Sequence, residues 1–311
     1  MGDLIHALPA LTEANSYLKD ISFDWVVDKN FASVPSWHPL VNKIITTDHR
    51  NWKKHLFSKD SRKSLKEVIN QINERDYDLV VDMQNNLKSA FISYLCKHDV
   101  VGMDSKSTRE YPAHLAYKEK INVNKKLHAI NRQKKLLGDA LGYNYKQGKV
   151  DYGASFKSFI KPRIKLPDKY CVLVQNASWV TKQWSIGNWQ NLIRYLENKG
   201  IDMLLPSGNL DELERAKEIC SVSKKAQAID LMPLNEIAYI VKNANFCICS
   251  DTGLAHLSAL TETPSITLYG PTKTSLIGTT GINQNHLIGG KEEINQILVS
   301  DVINVLDKYF I

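Results

Sequence analysis

Four short stretches place carboxylates, hydroxyls and cations where an apolar run gives way to a helical pattern. In "CICSDTGLAHLSAL" the run ends at Ser250, Asp251-Thr252-Gly253 follow, and a helix continues through His256. Ligands of open parallel sheets bind beyond the carboxyl ends of strands, where unpaired helix N–H groups and the helix dipole favour an anion. A pyrophosphate fits such a terminus, with Gly253 admitting close backbone approach. The competing reading makes Asp251 a plain N-cap. In "LVQNASWVTKQWSIGNW" a loop offering Ser178, Thr181 and Lys182 precedes a helix capped by Ser185, which puts a cation where a phosphate would lie. In "LLPSGNLDELERAK" a Pro206-Ser207-Gly208 turn leads into a helix whose first turn carries Asp211 and Glu212. Acid there complements the dipole, and it can also accept hydrogen bonds from ribose hydroxyls.

The fourth stretch is the opening, "MGDLIHALPALTEA". Asp3 at the start of a helix can serve as a general base or as a cap. Asp76-Tyr77-Asp78 has the D-x-D form that holds divalent cations in many sugar transferases, but it precedes its strand, the wrong end for a ligand, and reads as structural. The nine histidines are dispersed without the H-E-x-x-H spacing of zinc hydrolases, and no G-x-S-x-G elbow or Walker loop occurs, which removes the hydrolase and kinase readings.

The elements that must position these residues follow from apolar periodicity. "FDWVV", "KIITT", "YDLVVDM", "YCVLVQ", "IDMLLP", "AQAID", "NFCICS" and "SITLYG" read as strands alternating with helices, the pattern of parallel sheets covered on both faces. Apolar Leu4, Ile5, Leu8 and Leu11 predict an amphipathic first helix, and Ile294, Leu298, Val302, Ile303 and Leu306 a terminal one. The Gly-, Pro-, Lys- and Tyr-rich stretch 145–168 separates two series of strands, so two domains are expected, 1–150 and 151–311.

Composition narrows the class. The 311 residues are 43% hydrophobic, enough for a substantial core. Five cysteines without CxxC spacing suggest neither a disulfide framework nor zinc, and point to a reducing cytoplasm; Cys247 and Cys249 read as strand packing. No stretch has the length of a spanning helix and no signal core opens the chain. The net charge of +7 lies wholly in residues 1–150, with 24 Lys+Arg against 17 Asp+Glu, while residues 151–311 balance at 16 each. Such a half suits an anionic membrane or a phosphorylated substrate, or is simply a solvated surface. Nucleic acid is not expected, because no aromatic-studded basic stripe or RNP-like motif occurs.

Taken together, "GDLIHALPALTEA", "FDWVVDKNFASVPSWHP", "KSTREYPAHLAY", "KQW" and "DTGLAHLSALTETPSITLYGPTKTSLIG" resemble the lipopolysaccharide heptosyltransferases, glycosyltransferase family 9, over essentially the whole chain and in the same order. The "FDWVV…SWHP" block points to the heptosyltransferase I branch. The resemblance implies a GT-B fold of two Rossmann-like domains, the first binding the acceptor, Kdo2-lipid A, and the second the donor, ADP-L-glycero-D-manno-heptose. It implies inverting transfer to Kdo in inner-core biosynthesis by an enzyme peripheral to the cytoplasmic face of the inner membrane, without cofactor or obligatory metal. On the matching positions Asp3 would be the general base. Ser178 and Lys182 would meet the donor phosphates, Glu212 the ribose, Met232 the adenine pocket, and Asp251, Thr252, Gly253 and His256 the pyrophosphate and heptose. Arg50, Lys53, Lys54 and Arg109 would form the acceptor's basic set. Asn51 and Ala177 depart from basic and hydroxyl residues in relatives. A nucleotide-sugar epimerase of the same fold, another heptosyltransferase and an inactive remnant are the alternatives.

Relatives place an apolar strand and a loop before "MGD". The first domain is therefore expected to lack its first, central strand, leaving neighbouring backbone groups unpaired at about 1–3 kcal/mol each.

Overall fold

A computed structural model describes residues 1–55, 58–148 and 150–311, without the side chains of Arg50, Lys53 and Glu292. The chain divides into two units, Asp3–Ser155 and Phe156–Ile311, the latter taking in Met1–Gly2. The division falls five residues beyond the 150/151 boundary read from composition.

The first unit runs α1 (Gly2–Tyr17), β1 (Phe23–Asp28), α2 (Ser33–Ser36), β2 (Val41–Thr47), α3 (His49–Lys54), α4 (Lys59–Asn73), β3 (Val80–Val81), α5 (Leu87–Leu95), β4 (Val100–Met103), β5 (Glu119–Ile121) and α6 (Ala129–Leu141). Its strands form two separate parallel sheets, β1-β2 and β3-β4-β5. β1 and β3 do not pair with each other among the described residues. They share helical cover: Ala10, Leu11 and Ala14 of α1 and Leu137 of α6 pack with Phe23 and Trp25 on one side and Val81 and Met83 on the other. The expected one-sided amphipathic first helix is corrected here. Ile5 through Leu11 are all buried, so the first turns of α1 are enclosed on every side.

The run "YDLVVDM" yields only two strand residues: the Asp82 N–H still donates to the Val101 carbonyl at 2.8 Å, but its side chain folds the next turn. Its Oδ1 accepts hydrogen bonds from the backbone N–H groups of Gln84 and Asn85, both at 2.9 Å. β4 and β5, four and three residues long, are too short to show a period in the sequence. Gly102 in β4 has a clear reason to be glycine. A Cβ there would lie 2.3 Å from the Tyr117 ring, and that ring hands its hydroxyl to Asp82 at 2.7 Å.

The second unit runs β6 (Tyr170–Val174), α7 (Ile186–Asn198), β7 (Asp202–Leu205), α8 (Leu210–Cys220), β8 (Ala226–Ala228), α9 (Leu234–Lys242), β9 (Phe246–Ser250), α10 (Gly253–Leu260), β10 (Ser265–Tyr269), α11 (Thr274–Ile277), β11 (Gln284–Ile288) and α12 (Val299–Tyr309). All six strands are parallel in the order β11-β10-β9-β6-β7-β8. This is the doubly wound arrangement whose direction reverses between β6 and β9. Every residue of β6, β9 and β10 is buried, as continuous apolar runs demand when helices cover both faces. The core joins Leu173, Ile248 and Leu268 of the strands to Trp189, Leu192 and Leu196 of α7. The terminal helix is corrected at its start: it begins at Val299, Leu298 is exposed before it, and Ile294 is buried in a separate turn. Asp301 makes that stop by accepting the Leu298 N–H at 2.9 Å. All five cysteines are free thiols.

Candidate active site

The crossover point of the second sheet lies between β6 and β9, and the loops at their carboxyl ends carry the strongest polar set in this unit. Lys182, in the loop after β6, reaches Asp251, directly after β9, with Nζ 2.6 Å from Oδ2. The Thr272 hydroxyl, after β10, donates to the same Oδ2 at 2.5 Å. Asp251 is thus nearly buried and satisfied by two side chains from separate strand ends, while the N-cap of α10 is Thr252, whose hydroxyl accepts the Leu254 N–H at 3.2 Å. The cap reading of Asp251 is corrected accordingly. Freed of capping, its carboxylate fixes the lysine. Gly253 is the first residue of α10 and His256 a buried one.

The loop holding Lys182 is itself held. Gln183 donates its side-chain amide to the Ala177 carbonyl at 2.9 Å, and Ser185 caps α7 as its sequence suggests. Gly270, after β10, lets the backbone of this loop approach. A Cβ on it would meet the Thr181 carbonyl oxygen at 3.0 Å and the Ile294 amide at 3.1 Å. Ser178 is exposed on the same loop.

Beyond β7, Glu212 sits in the first turn of α8 and closes the preceding turn. Its Oε2 accepts the Gly208 N–H at 2.8 Å and the Asn176 amide at 3.3 Å, and its Oε1 accepts the Asn209 amide at 3.0 Å. Met232 lies half-buried in the loop after β8. The carboxyl ends of β6 to β10 therefore carry Ser178 and Lys182, Glu212, Met232, Asp251 and Thr272 in turn. Asn176 Oδ1 and Ser207 Oγ at the same ends are buried without a hydrogen-bond partner among the described residues.

In the first unit, Asp3 lies in the first turn of α1, and its Oδ2 is 2.5 Å from Arg109 Nη1, both side chains about half exposed. The position of Arg109 is set by a buried turn. Its N–H donates to the Asn85 carbonyl at 3.1 Å, and Asn85 is locked by its amide on the Asp82 carbonyl at 2.6 Å and by the Met103 N–H on its Oδ1 at 2.5 Å. Burial raises the Asp82 pKa, opposed by hydrogen bonds from Asn85 and Tyr117. Arg132 on α6 donates to the Ser107 carbonyl at 2.6 Å, and burial first and then the charge of Arg109 lower its pKa. His6 of α1 packs edge-on against His128 at the start of α6, ring centroids 5.6 Å apart.

Asp3 and Arg109 are thus brought together, as are Lys182 and Asp251. Lys54 lies exposed on α3, and the Arg50 and Lys53 side chains fall outside the described residues. Thr272, Asn176, Arg132 and His128 did not emerge from the sequence. Thr272 stands in the quoted "YGPTKT", but only the fold turns its hydroxyl toward a residue 21 positions away. Asp76 pairs with Lys97 at 3.3 Å before β3, at the amino end of its strand.

A sheet of this order, with a lysine, hydroxyls and a helix N-terminus at its reversal point, defines a nucleotide-binding α/β protein. The model of glycosyltransferase family 9 (heptosyltransferase) matches residues 65–300. Lipopolysaccharide heptosyltransferase 1 of Escherichia coli (strain K12) is 38% identical over 288 residues, covering 91% of this chain and 89% of that protein. The structure of E. coli heptosyltransferase WaaC with ADP superposes with a TM-score of 0.91 at 34% identity, over 99% of this chain and 96% of that one. The same enzyme with ADP-2-deoxy-2-fluoro heptose gives 0.87, with the same identity and coverage. The chain belongs to glycosyltransferase family 9, the heptosyltransferases, and has their GT-B fold.

Proposed function

We propose that this chain transfers L-glycero-D-manno-heptose from ADP-heptose to a Kdo hydroxyl of Kdo2-lipid A, with inversion, in building the lipopolysaccharide inner core. What carries the reading is the Lys182–Asp251–Thr272 set at the reversal point of the second sheet; the structure of the 34%-identical E. coli heptosyltransferase WaaC, of the same fold, is one with ADP.

In this mechanism Asp3 takes the proton of the acceptor hydroxyl as its oxygen bonds to the anomeric carbon. The bond from that carbon to the ADP oxygen breaks on the opposite face, which inverts the configuration. Charge gathers on the departing diphosphate, where Lys182 and the N–H groups opening α10 meet it in a fixed geometry. Glu212 accepts the ribose hydroxyls, the Met232 backbone borders the adenine, and Thr252, Gly253 and His256 border the pyrophosphate and heptose. Arg109 orients the Asp3 carboxylate and, with Arg50, Lys53 and Lys54, faces acceptor carboxylates and phosphates. The protein works at the cytoplasmic face of the inner membrane, and these residues perform the reaction without an obligatory metal.

Acceptor-dependent ADP release tests the roles. ADP should appear only when both ADP-heptose and Kdo2-lipid A are present, and Asp3→Ala should lower kcat by about 10²–10⁴-fold with ADP affinity retained. ADP release that ignores the acceptor, or full activity in Asp3→Ala, would overturn the reading.

A further inference from the structure

One helix face in the first unit is apolar yet uncovered. On α5, Leu87, Phe91 and Tyr94 recur at i, i+4 and i+7, and are 50%, 49% and 75% exposed. The opposite side of the same helix is packed, with Ala90 joined to Ala113 and Tyr117 in a small core. The turn that supplies Ala113 adds Tyr111 and Leu115, 73% and 70% exposed. Five large apolar or aromatic side chains thus stand outward on two elements packed against each other. Single exposed apolar residues need no explanation, but a cluster on one helix face marks a surface that meets something.

The charges around this face indicate its partner. Lys88 is exposed in the first turn of α5 and makes no ion pair among the described residues. Trp52 of α3 and Ile92 of α5 share one small core, so the two helices are neighbours. The sequence of α3, "HRNWKK", contributes further cations, with Lys54 exposed. Glu110, exposed, accepts the Leu87 N–H at 3.0 Å and stays an acid at the start of α5, while Asp99 is paired with Lys118 and Asp76 with Lys97. An apolar face with tyrosines at its margin and unpaired lysines beside it matches a lipid interface, where tyrosine bridges acyl chain and water and lysine meets anionic headgroups.

We propose that the α5 face of Leu87, Phe91 and Tyr94, with Tyr111 and Leu115 beside it, seats this protein on an anionic bilayer surface, with the basic α3 turn among the headgroups. The proposal rests on the reading of a membrane-borne acceptor and names the surface that reaches it. Seating here would bring α3, which carries three of the four proposed acceptor cations, to the headgroup layer.

The test is co-sedimentation of the full chain with vesicles of phosphatidylglycerol and phosphatidylethanolamine, against vesicles of phosphatidylcholine alone. Wild type should bind the anionic vesicles and release them as salt rises. The triple variant Phe91→Ser, Tyr94→Ser, Leu115→Ser should bind at least about tenfold more weakly, with an unchanged thermal midpoint and unchanged transfer to a deacylated, water-soluble Kdo acceptor. Lys88→Gln should cost about fivefold at low salt. Failure of the wild type to bind, equal binding by the triple variant, or a change of oligomeric state in that variant would each overturn the proposal, the last by making the face a protein interface. The two readings separate cleanly: surface-dependent vesicle binding without transfer to Kdo removes the acceptor reading alone, and transfer without surface-dependent binding removes the surface.

Discussion

Lys182 is a loop lysine in sequence and the centre of an ion pair in the structure, and the difference lies in Asp251. A nearly buried carboxylate accepting from Lys182 and Thr272 fixes the ammonium at the sheet's reversal point, so little side-chain freedom remains to be lost when a diphosphate arrives. Lys182→Met is therefore expected to weaken ADP binding by about 10–100-fold, since a charge-assisted hydrogen bond contributes about 1.5–3 kcal/mol, as titration calorimetry would show. Unchanged ADP affinity would remove Lys182 from the donor site. The positions of Lys182, Glu212, Asp251 and Gly253 after strands were legible from strand-to-helix punctuation alone. Their partners were not, because Thr272 and Asn176 reach Asp251 and Glu212 through contacts between distant segments, and the sequence offers no local sign of these.

At the level of elements, the second sheet was largely readable, since buried parallel strands such as "YCVLV" and "FCICS" are continuous apolar runs. β11, "QNHLI", was not, because an edge strand keeps polar residues. A close joint in this unit that bears on Lys182 is Gly270 against the Thr181 loop. Gly270→Ala should displace the loop that carries Lys182 and raise the Kd for ADP while leaving the chain folded, which calorimetric titration and circular dichroism together would distinguish.

In the first unit, the connection between α1 and the segment after α2 is a neutral histidine. His38 Nδ1 accepts the Leu40 N–H at 3.3 Å, so Nε2 carries the proton and donates to the Thr12 hydroxyl at 3.0 Å. Burial lowers the His38 pKa from 6.5 to about 4, partly opposed by Asp151. Because the unfolded chain takes up this proton first, the stability tied to the neutral ring is present above pH 6.5 and lost as pH falls toward 4. The full loss is about 3 kcal/mol. Thermal midpoints measured across that interval should fall in the wild type and flatten in His38→Gln; parallel profiles would show that His38 is not the group responsible.

Across the whole molecule, the division of labour follows the charge. Residues 1–150 hold all the excess cations, and the balanced second half holds the nucleotide-type sheet. ADP at about 100 times its Kd should stabilise the unit that binds it by about 2.7 kcal/mol. In a calorimetric scan that shift should fall on the unfolding of Phe156–Ile311; a shift confined to Asp3–Ser155 would reverse the assignment of the units. The family was legible because its motifs lie on loops whose spacing is fixed by chemistry. The strand pairing of the first unit was not legible, since the sequence does not show which strand pairs with which.

The most direct test of the central claim is the product itself. Purified protein, ADP-heptose and Kdo2-lipid A should yield one new glycolipid, heavier by a single heptose in mass spectrometry, with the anomeric configuration inverted relative to the donor by NMR. A free sugar, an epimerised nucleotide sugar, or retained configuration would contradict it.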